Sequence, residues 1–152
     1  MHIRQFQFYG IKMYPTKIGL AFPGERFKQL VNNIDSIDEA VKNVKASKEV
    51  AYKFHLGGGW YVTINSGYYV INLRRYWKPE DATTEVPTKN GIALKFDQWE
   101  QLKLAVSKLY EFHADLAVME PCSDSISHLN QIVAFQCSEC NPFLTEYERL
   151  MY

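Results

Sequence analysis

PTKIGLAFPGERFKQL, residues 15–30, and PTKNGIALKFDQWEQL, residues 87–102, align without a gap at an offset of 72, with seven of 16 positions identical. The identities are a Pro-Thr-Lys triplet, a Gly, an Ala and a closing Gln-Leu. Leu20/Ile92, Phe22/Leu94, Glu25/Asp97 and Phe27/Trp99 are conservative differences. An internal repeat constrains the architecture before any other signal, because each copy is one supersecondary unit.

Forward of this stretch the match continues into two helices. Phe27, Leu30, Ile34, Ile37, Val41 and Val44 recur at spacings of three and four, and an offset of 72 gives Trp99, Leu102, Val106, Leu109, His113 and Leu116. Each set is a narrow apolar stripe on one helical face. One stripe alone means core packing; two matched stripes are natural partners. His113, at the position of Val41, is expected to be packed in that core rather than catalytic.

Backward, Ile3-Arg4-Gln5-Phe6 lies on Leu73-Arg74-Arg75-Tyr76 once the second copy is allowed two more loop residues. Ahead of that, the second copy has strand-like WYVTI (60–64) and YYVINL (68–73) around Asn65-Ser66-Gly67, a hairpin signal. The first copy has no counterpart, so it is short by one hairpin or the chain is a fragment.

These signals give strands at 2–8, 17–22, 52–56, 59–65, 68–78 and 89–95, with helices at 25–45 and 97–118. Asp97 stands as N-cap or first-turn acid with Glu100 in capping-box position, and Pro23-Gly24-Glu25 opens the first helix. A polar linker falls near 46–51, and KPEDATTEVPTK (78–89) is a flexible loop between strands. EPCSDSIS (120–127) ends the second helix. Leu129, Ile132, Val133 and Cys137 then mark a short third helix stopped by Asn141-Pro142. The expected domains are a partial repeat (1–48), a complete one (49–118) and an acidic tail (119–152).

The 47% hydrophobic content supplies a core, and sparse glycine and proline argue against long disorder. The start lacks a signal-peptide core, no apolar run reaches membrane-spanning length, and three cysteines do not suggest a secreted disulfide framework. A soluble intracellular protein with no membrane partner is expected. The net charge of zero hides an asymmetry: residues 1–96 hold 14 Lys/Arg against 8 Asp/Glu, and residues 97–152 hold 3 against 9. The basic part fits an electrostatic footprint with an acidic tail, and equally an ordinary solvated surface.

Gly57-Gly58-Gly59 lacks the Lys-Ser/Thr and the strand-to-helix setting of a phosphate loop, and is taken as a flexible entry into a strand. Cys122, His128, Cys137 and Cys140 supply soft ligands of the type zinc takes. A lone Cys-x-x-Cys is weak, however, and Cys137 fits an apolar helical face, so these four are expected to stay apart as buried thiols and a histidine. No nucleophile arrangement or acidic pair indicates an enzyme, and no cofactor is called for.

NLRRYWKP (72–79) is different: Arg74, Arg75, Tyr76, Trp77 and Lys78 place guanidinium groups, rings and an ammonium side by side. Tyr61, Tyr68 and Tyr69 lie on the preceding hairpin, which Trp60 opens. Alternation sends Arg74 and Tyr76 to one face and Arg75 and Trp77 to the other. Charges that track phosphates, with rings for stacking, are what single-strand binding requires; arginines at the edge of an aromatic core are the alternative.

LRRYWKPEDATTEVPTKNGIALKFDQWEQLKLAV (73–106) resembles the C-terminal domain of the transcriptional coactivator family called positive cofactor four. The likeness rests on an Arg-x-Tyr-Trp strand end, a loop, a Pro-Thr-Lys turn before a glycine, and a helix opening of Glu-Gln-Trp type. It covers about 52–118 well and 1–45 as a partial second copy. The resemblance implies an α+β fold: a curved antiparallel sheet of about four strands, then a long helix, with the N-terminal copy pairing helix to helix. It implies a non-enzymatic nuclear protein that binds single-stranded DNA or melted duplex beside the transcription machinery, as a homodimer or an intrachain pseudo-dimer. Arg74, Trp77 and Lys89 match the family's binding positions, flanked by Arg75, Lys78, Tyr61 and Tyr68, with Lys17 and Arg4 as first-copy counterparts. The family's second turn lysine is Asn90 here and Ile18 in the first copy, and Asn65-Ser66-Gly67 replaces its basic, aromatic hairpin tip. A degenerate repeat serving as a protein-interaction module is the alternative.

Overall fold

A computed structural model describes residues 1–129, 131–145, 148, 150 and 151. β1 (His2–Tyr9) and β2 (Lys12–Ala21) form a two-stranded antiparallel ribbon. β3 (Ala51–Gly57), β4 (Trp60–Asn65), β5 (Val70–Trp77) and β6 (Val86–Lys95) form an antiparallel sheet in sequence order. α1 (Gly24–Asn32) and α2 (Ile34–Lys45) lie between the two sheets in sequence, and α3 (Phe96–Phe112) follows β6. The architecture is the expected α+β one, with a four-stranded sheet leading into a long helix.

The expected helix 25–45 is two helices. Asn33 sits between them at φ −104° and ψ 8°, donating its side-chain amide to the Gln29 carbonyl at 2.8 Å. A short amide side chain that bonds the backbone one turn back competes with the helical ladder, and here it bends the chain. α3 starts at Phe96, earlier than expected, so Gln98 rather than Glu100 reaches back, accepting from the Lys95 N–H at 2.9 Å. It also ends at Phe112, where His113 is exposed as the C-cap residue. The expectation of a core-packed His113 is therefore corrected: the stripe runs past the end of the helix that would have buried it.

Phe27, Leu30, Ile37, Val41 and Val44 are buried, with α1 against β3 and α2 against β4. The sheet answers with Val62, Ile64, Ile71 and Leu73, each fully buried by strand alternation. Trp99 and Val106 of α3 join the same core, with Leu102, Leu109 and Ile34 partly buried against it. The first stripe thus covers the sheet as well as meeting α3. Asp38 of α2 accepts from Trp99 Nε1 at 2.7 Å and pairs with Lys103 at 2.6 Å. Lys28 of α1 lies over the Tyr110 ring and donates to the Ala117 carbonyl. Rising numbers on α1–α2 meet falling numbers beyond, so the helices run in opposite directions.

After α3 come α4 (Asp115–Val118), two short 3-10 turns (Cys122–Asp124 and Ile126–Leu129) and α5 (Gln131–Gln136). Among the described residues no helix is long and apolar enough to cross a membrane.

Candidate nucleic-acid interface

Two hairpins of unlike length carry the same local geometry. β1–β2 pairs Ile3 with Leu20, Arg4 with Gly19 and Phe6 with Pro15; β5–β6 pairs Leu73 with Ile92, Arg74 with Gly91 and Tyr76 with Pro87. In both, the register shifts immediately after the arginine. In both, a threonine closes the irregularity: Thr16 Oγ1 donates to the Gln5 carbonyl and accepts from the Ile18 N–H, as Thr88 Oγ1 does with Arg75 and Asn90. The glycines are required by close approach. A Cβ on Gly19 would lie 2.9 Å from the Arg4 Cα, and one on Gly91 would lie 2.8 Å from the Arg74 Cα. The Pro-Thr-Lys-x-Gly pattern is thus the chemistry of a bulged turn-strand that presents its lysine to solvent.

β2 packs beside β6, and an open groove runs between the two hairpins. Arg4, Lys17, Arg74, Lys89 and Lys95 line it, with the amides of Gln5, Asn90, Gln98 and Gln101. Among the described lining residues none is acidic. The Arg74 guanidinium is braced by the Thr88 carbonyl, accepting from Nη1 at 3.0 Å, which fixes one of its five N–H donors.

A second concavity adjoins the end of β5 and holds Arg75, Tyr76, Trp77 and Lys78, with Asn90 common to both grooves. Trp77 is 52% exposed. Tyr61 and Tyr76 meet edge to face at 4.9 Å, and Lys53 Nζ lies 4.6 Å and 4.5 Å from their centroids. Lys53 also pairs with Glu85, whose carboxyl is held below its usual range by that hydrogen bond. A partly exposed pair of this kind is worth ~0–1 kcal/mol, so an incoming phosphate can replace Glu85 at little cost.

Burial, with Glu85 and Tyr76 adding to it, pushes the Tyr61 phenol up to about 12. The His55 ring tilts against Tyr61 at 4.8 Å. Burial holds His55 below its usual value, and Nε2 accepts from the Gly59 N–H at 3.2 Å, a bond only the unprotonated nitrogen can make. Phe143, from the tail, stacks parallel to Tyr61.

Arg4, Lys17, Arg74 and Lys89 thus share one groove, while Arg75, Trp77 and Lys78 share the other. Tyr61 stands beside Tyr76, whereas Tyr68 is exposed in the β4–β5 turn and lines neither groove. The expected strand 68–78 begins only at Val70, which leaves Tyr68 and Tyr69 outside the sheet. Lys53, His55, Lys95 and Phe143 escaped the sequence reading. Alternation along β3 from Lys53 to His55, facing Tyr61, was the available signal for two of them; nothing local marks Phe143.

The expectation that the tail ligands stay apart is overturned. The ligating atoms of Cys122, His128, Cys137 and Cys140 all lie within 4.8 Å of one another. The short turns fold 122–129 back beside the end of α5, and Cys137 leaves that helix instead of packing along it.

Residues 65–105 match the family model described as Transcriptional Coactivator p15 (PC4), a span from the β4–β5 turn through β5 and β6 into α3. Comparison with curated proteins and with solved structures gives no significant match. Over that segment, which holds Arg74, Trp77, Lys89 and the bulged turn and is about a quarter of the chain, the protein is similar to the transcriptional coactivator p15 (PC4) family.

Proposed function

We propose that this protein binds single-stranded DNA, or the opened strands of a duplex, in a transcriptional-coactivator role in the nucleus. The observation that carries the reading is the inter-hairpin groove, with five basic side chains and no acid among its described lining residues. A groove of one sign attracts a polyanion at long range and positions it by phosphate contacts. Trp77, and Tyr61 with Tyr76, offer rings for bases leaving that backbone, and stacking is indifferent to sequence. The N-terminal ribbon serves as a degenerate second copy of the module, supplying Arg4 and Lys17 where a homodimer would supply a partner's residues. Its match to β5–β6 in register, bulge and threonine hydrogen bonds supports that role.

The test is a salt-titrated comparison of single-stranded and duplex oligonucleotides. Five neutralised phosphates give a single-strand slope of about −3.5 in log K against log salt. Equal affinity for both forms at moderate salt sinks the reading. The second reading is a protein-interaction module, favoured by Phe143 lying on Tyr61 and by the acidic 97–152 segment, which suits a basic partner.

A further inference from the structure

The geometry points to a zinc site in the C-terminal tail, formed by Cys122, His128, Cys137 and Cys140, that clamps the tail across the β3–β4 turn. Cys122 Sγ lies 3.7 Å from Cys137 Sγ and 3.9 Å from His128 Nδ1, and Cys140 Sγ lies 3.3 Å from His128 Nδ1. Tetrahedral zinc with Zn–S of about 2.3 Å and Zn–N of about 2.0 Å has ligand edges of about 3.8 Å between sulfurs and about 3.5 Å between sulfur and nitrogen. The two sulfur–nitrogen spacings fall either side of their edge, the sulfur–sulfur spacing lies close to its own, and all four ligand atoms lie within 4.8 Å of one another. Three thiolates and one imidazole are a complete structural set, with no position left for water or substrate.

The surrounding chain needs such a centre. Ile126 and Leu129 are 83% and 79% exposed, and Ile132, Val133 and Phe135 are exposed as well. The elements are two 3-10 turns and a six-residue helix, too short to persist unaided. Where apolar burial is this thin, a metal supplies the folding energy that a core would otherwise provide.

The Cys137–Cys140 loop carries Glu139, which explains what the clamp holds. The Glu139 carboxylate grips the Arg26 guanidinium at both oxygens, with Nη2 to Oε2 at 2.7 Å, and its carbonyl accepts from the Gly58 N–H at 2.7 Å. Gly57 and Gly58 have φ of +118° and +56°, and a Cβ on either would strike the Glu139 or Arg26 side chain. Phe143 follows three residues after the last ligand and reaches Tyr61. Zinc at this site therefore fixes the position of a ring on the proposed interface without touching nucleic acid.

The test uses the full chain, expressed with zinc and purified without chelator. One zinc per chain by elemental analysis is expected. Cobalt added to the stripped protein should give the intense visible bands and thiolate charge-transfer absorption of a tetrahedral sulfur-rich site. Cys137→Ser and Cys140→Ser should each abolish stoichiometric binding, and Ser123→Ala should not. Chelation should raise hydrogen exchange at the Gly58 amide and leave the Leu73 amide in the sheet protected. Substoichiometric zinc in wild type, weak octahedral cobalt bands, or a Cys122–Cys137 disulfide in freshly purified protein would each overturn the site. The cobalt titration on wild type decides the matter even where the serine variants fail to fold. None of these readouts involves DNA, so they are independent of the proposed function.

Discussion

The ring of Phe143 lies parallel to that of Tyr61, with centroids 6.5 Å apart and planes within 4°. The two residues belong to different parts of the chain, a strand of the central sheet and the acidic tail. A base that stacks on Tyr61 must displace Phe143 or extend the stack beyond it. Aromatic pairs contribute ~0.5–1.5 kcal/mol beyond burial. Phe143→Ala should therefore tighten single-strand binding by about 2- to 13-fold, as the tail stops competing for the ring. Fluorescence anisotropy with a labelled oligonucleotide measures this, and weaker binding would make Phe143 part of the platform.

Stacking and charge are separable on this surface. Trp77→Ala should weaken single-strand binding by roughly 5- to 150-fold and leave the salt slope almost unchanged. Lys89→Ala, at an exposed position in the groove, should lower the slope by about 0.7. A surface that is merely basic would show the second effect without the first.

Asn90 lines both grooves, at the turn position where the family resemblance calls for a lysine. Asn90→Lys should steepen the slope by about 0.7 and raise affinity at low salt, while melting unchanged. An unaltered slope in the same titrations would show that no phosphate passes between the grooves.

Gly91 has φ of +155°, and a Cβ there would run into the Leu73 carbonyl and the Arg74 Cα. Both obstacles are backbone within the same hairpin, so they cannot yield as a flexible side chain would. Gly91→Ala should cost about 2 kcal/mol or more in urea unfolding. Asn90→Ala, one residue away on an exposed site, should change stability by less than about 0.5 kcal/mol.

The raised Tyr61 phenol gives an alkaline signature. Its folded value of about 12 exceeds the ordinary tyrosine value of 10.0, so its contribution to stability is complete below the unfolded value and is lost as pH rises through the folded one. Site-resolved carbon NMR of labelled tyrosines should show Tyr61 ionising late, and Tyr61→Phe should remove that late transition. A Tyr61 titration near 10 would show that water reaches the phenol freely.

The repeat was legible because its residues are chemically compelled. A threonine that accepts one N–H and donates to one carbonyl, and a glycine that admits no Cβ, tolerate few replacements, so Thr16/Thr88 and Gly19/Gly91 persist as a readable pattern. Arg74, Trp77 and Lys89 stand out as candidates through that pattern and the strand beside it, and they line the two grooves. The break at Asn33 was missed because hydrophobic spacing runs through it uninterrupted; only the amide's bond to Gln29 sets it apart. The tail cluster was misjudged for a related reason. Cys122 and Cys137 are 15 residues apart, and their meeting depends on two short turns whose sequence has no strong periodicity. Phe143 and Lys53 reach Tyr61 through tertiary approach alone, which no local pattern records.

The unequal hairpins that wall the basic groove have a geometric consequence. Arg4 and Lys17 stand on one side, and Arg74, Lys89 and Lys95 on the other, so no rotation exchanges the two walls. A groove between identical subunits would look the same from either end, and a chain lying along it would fit equally well turned around. This one has a front and a back, so a single strand bound there as proposed would meet two inequivalent fits, and its 5′-to-3′ polarity would be selected by the protein itself.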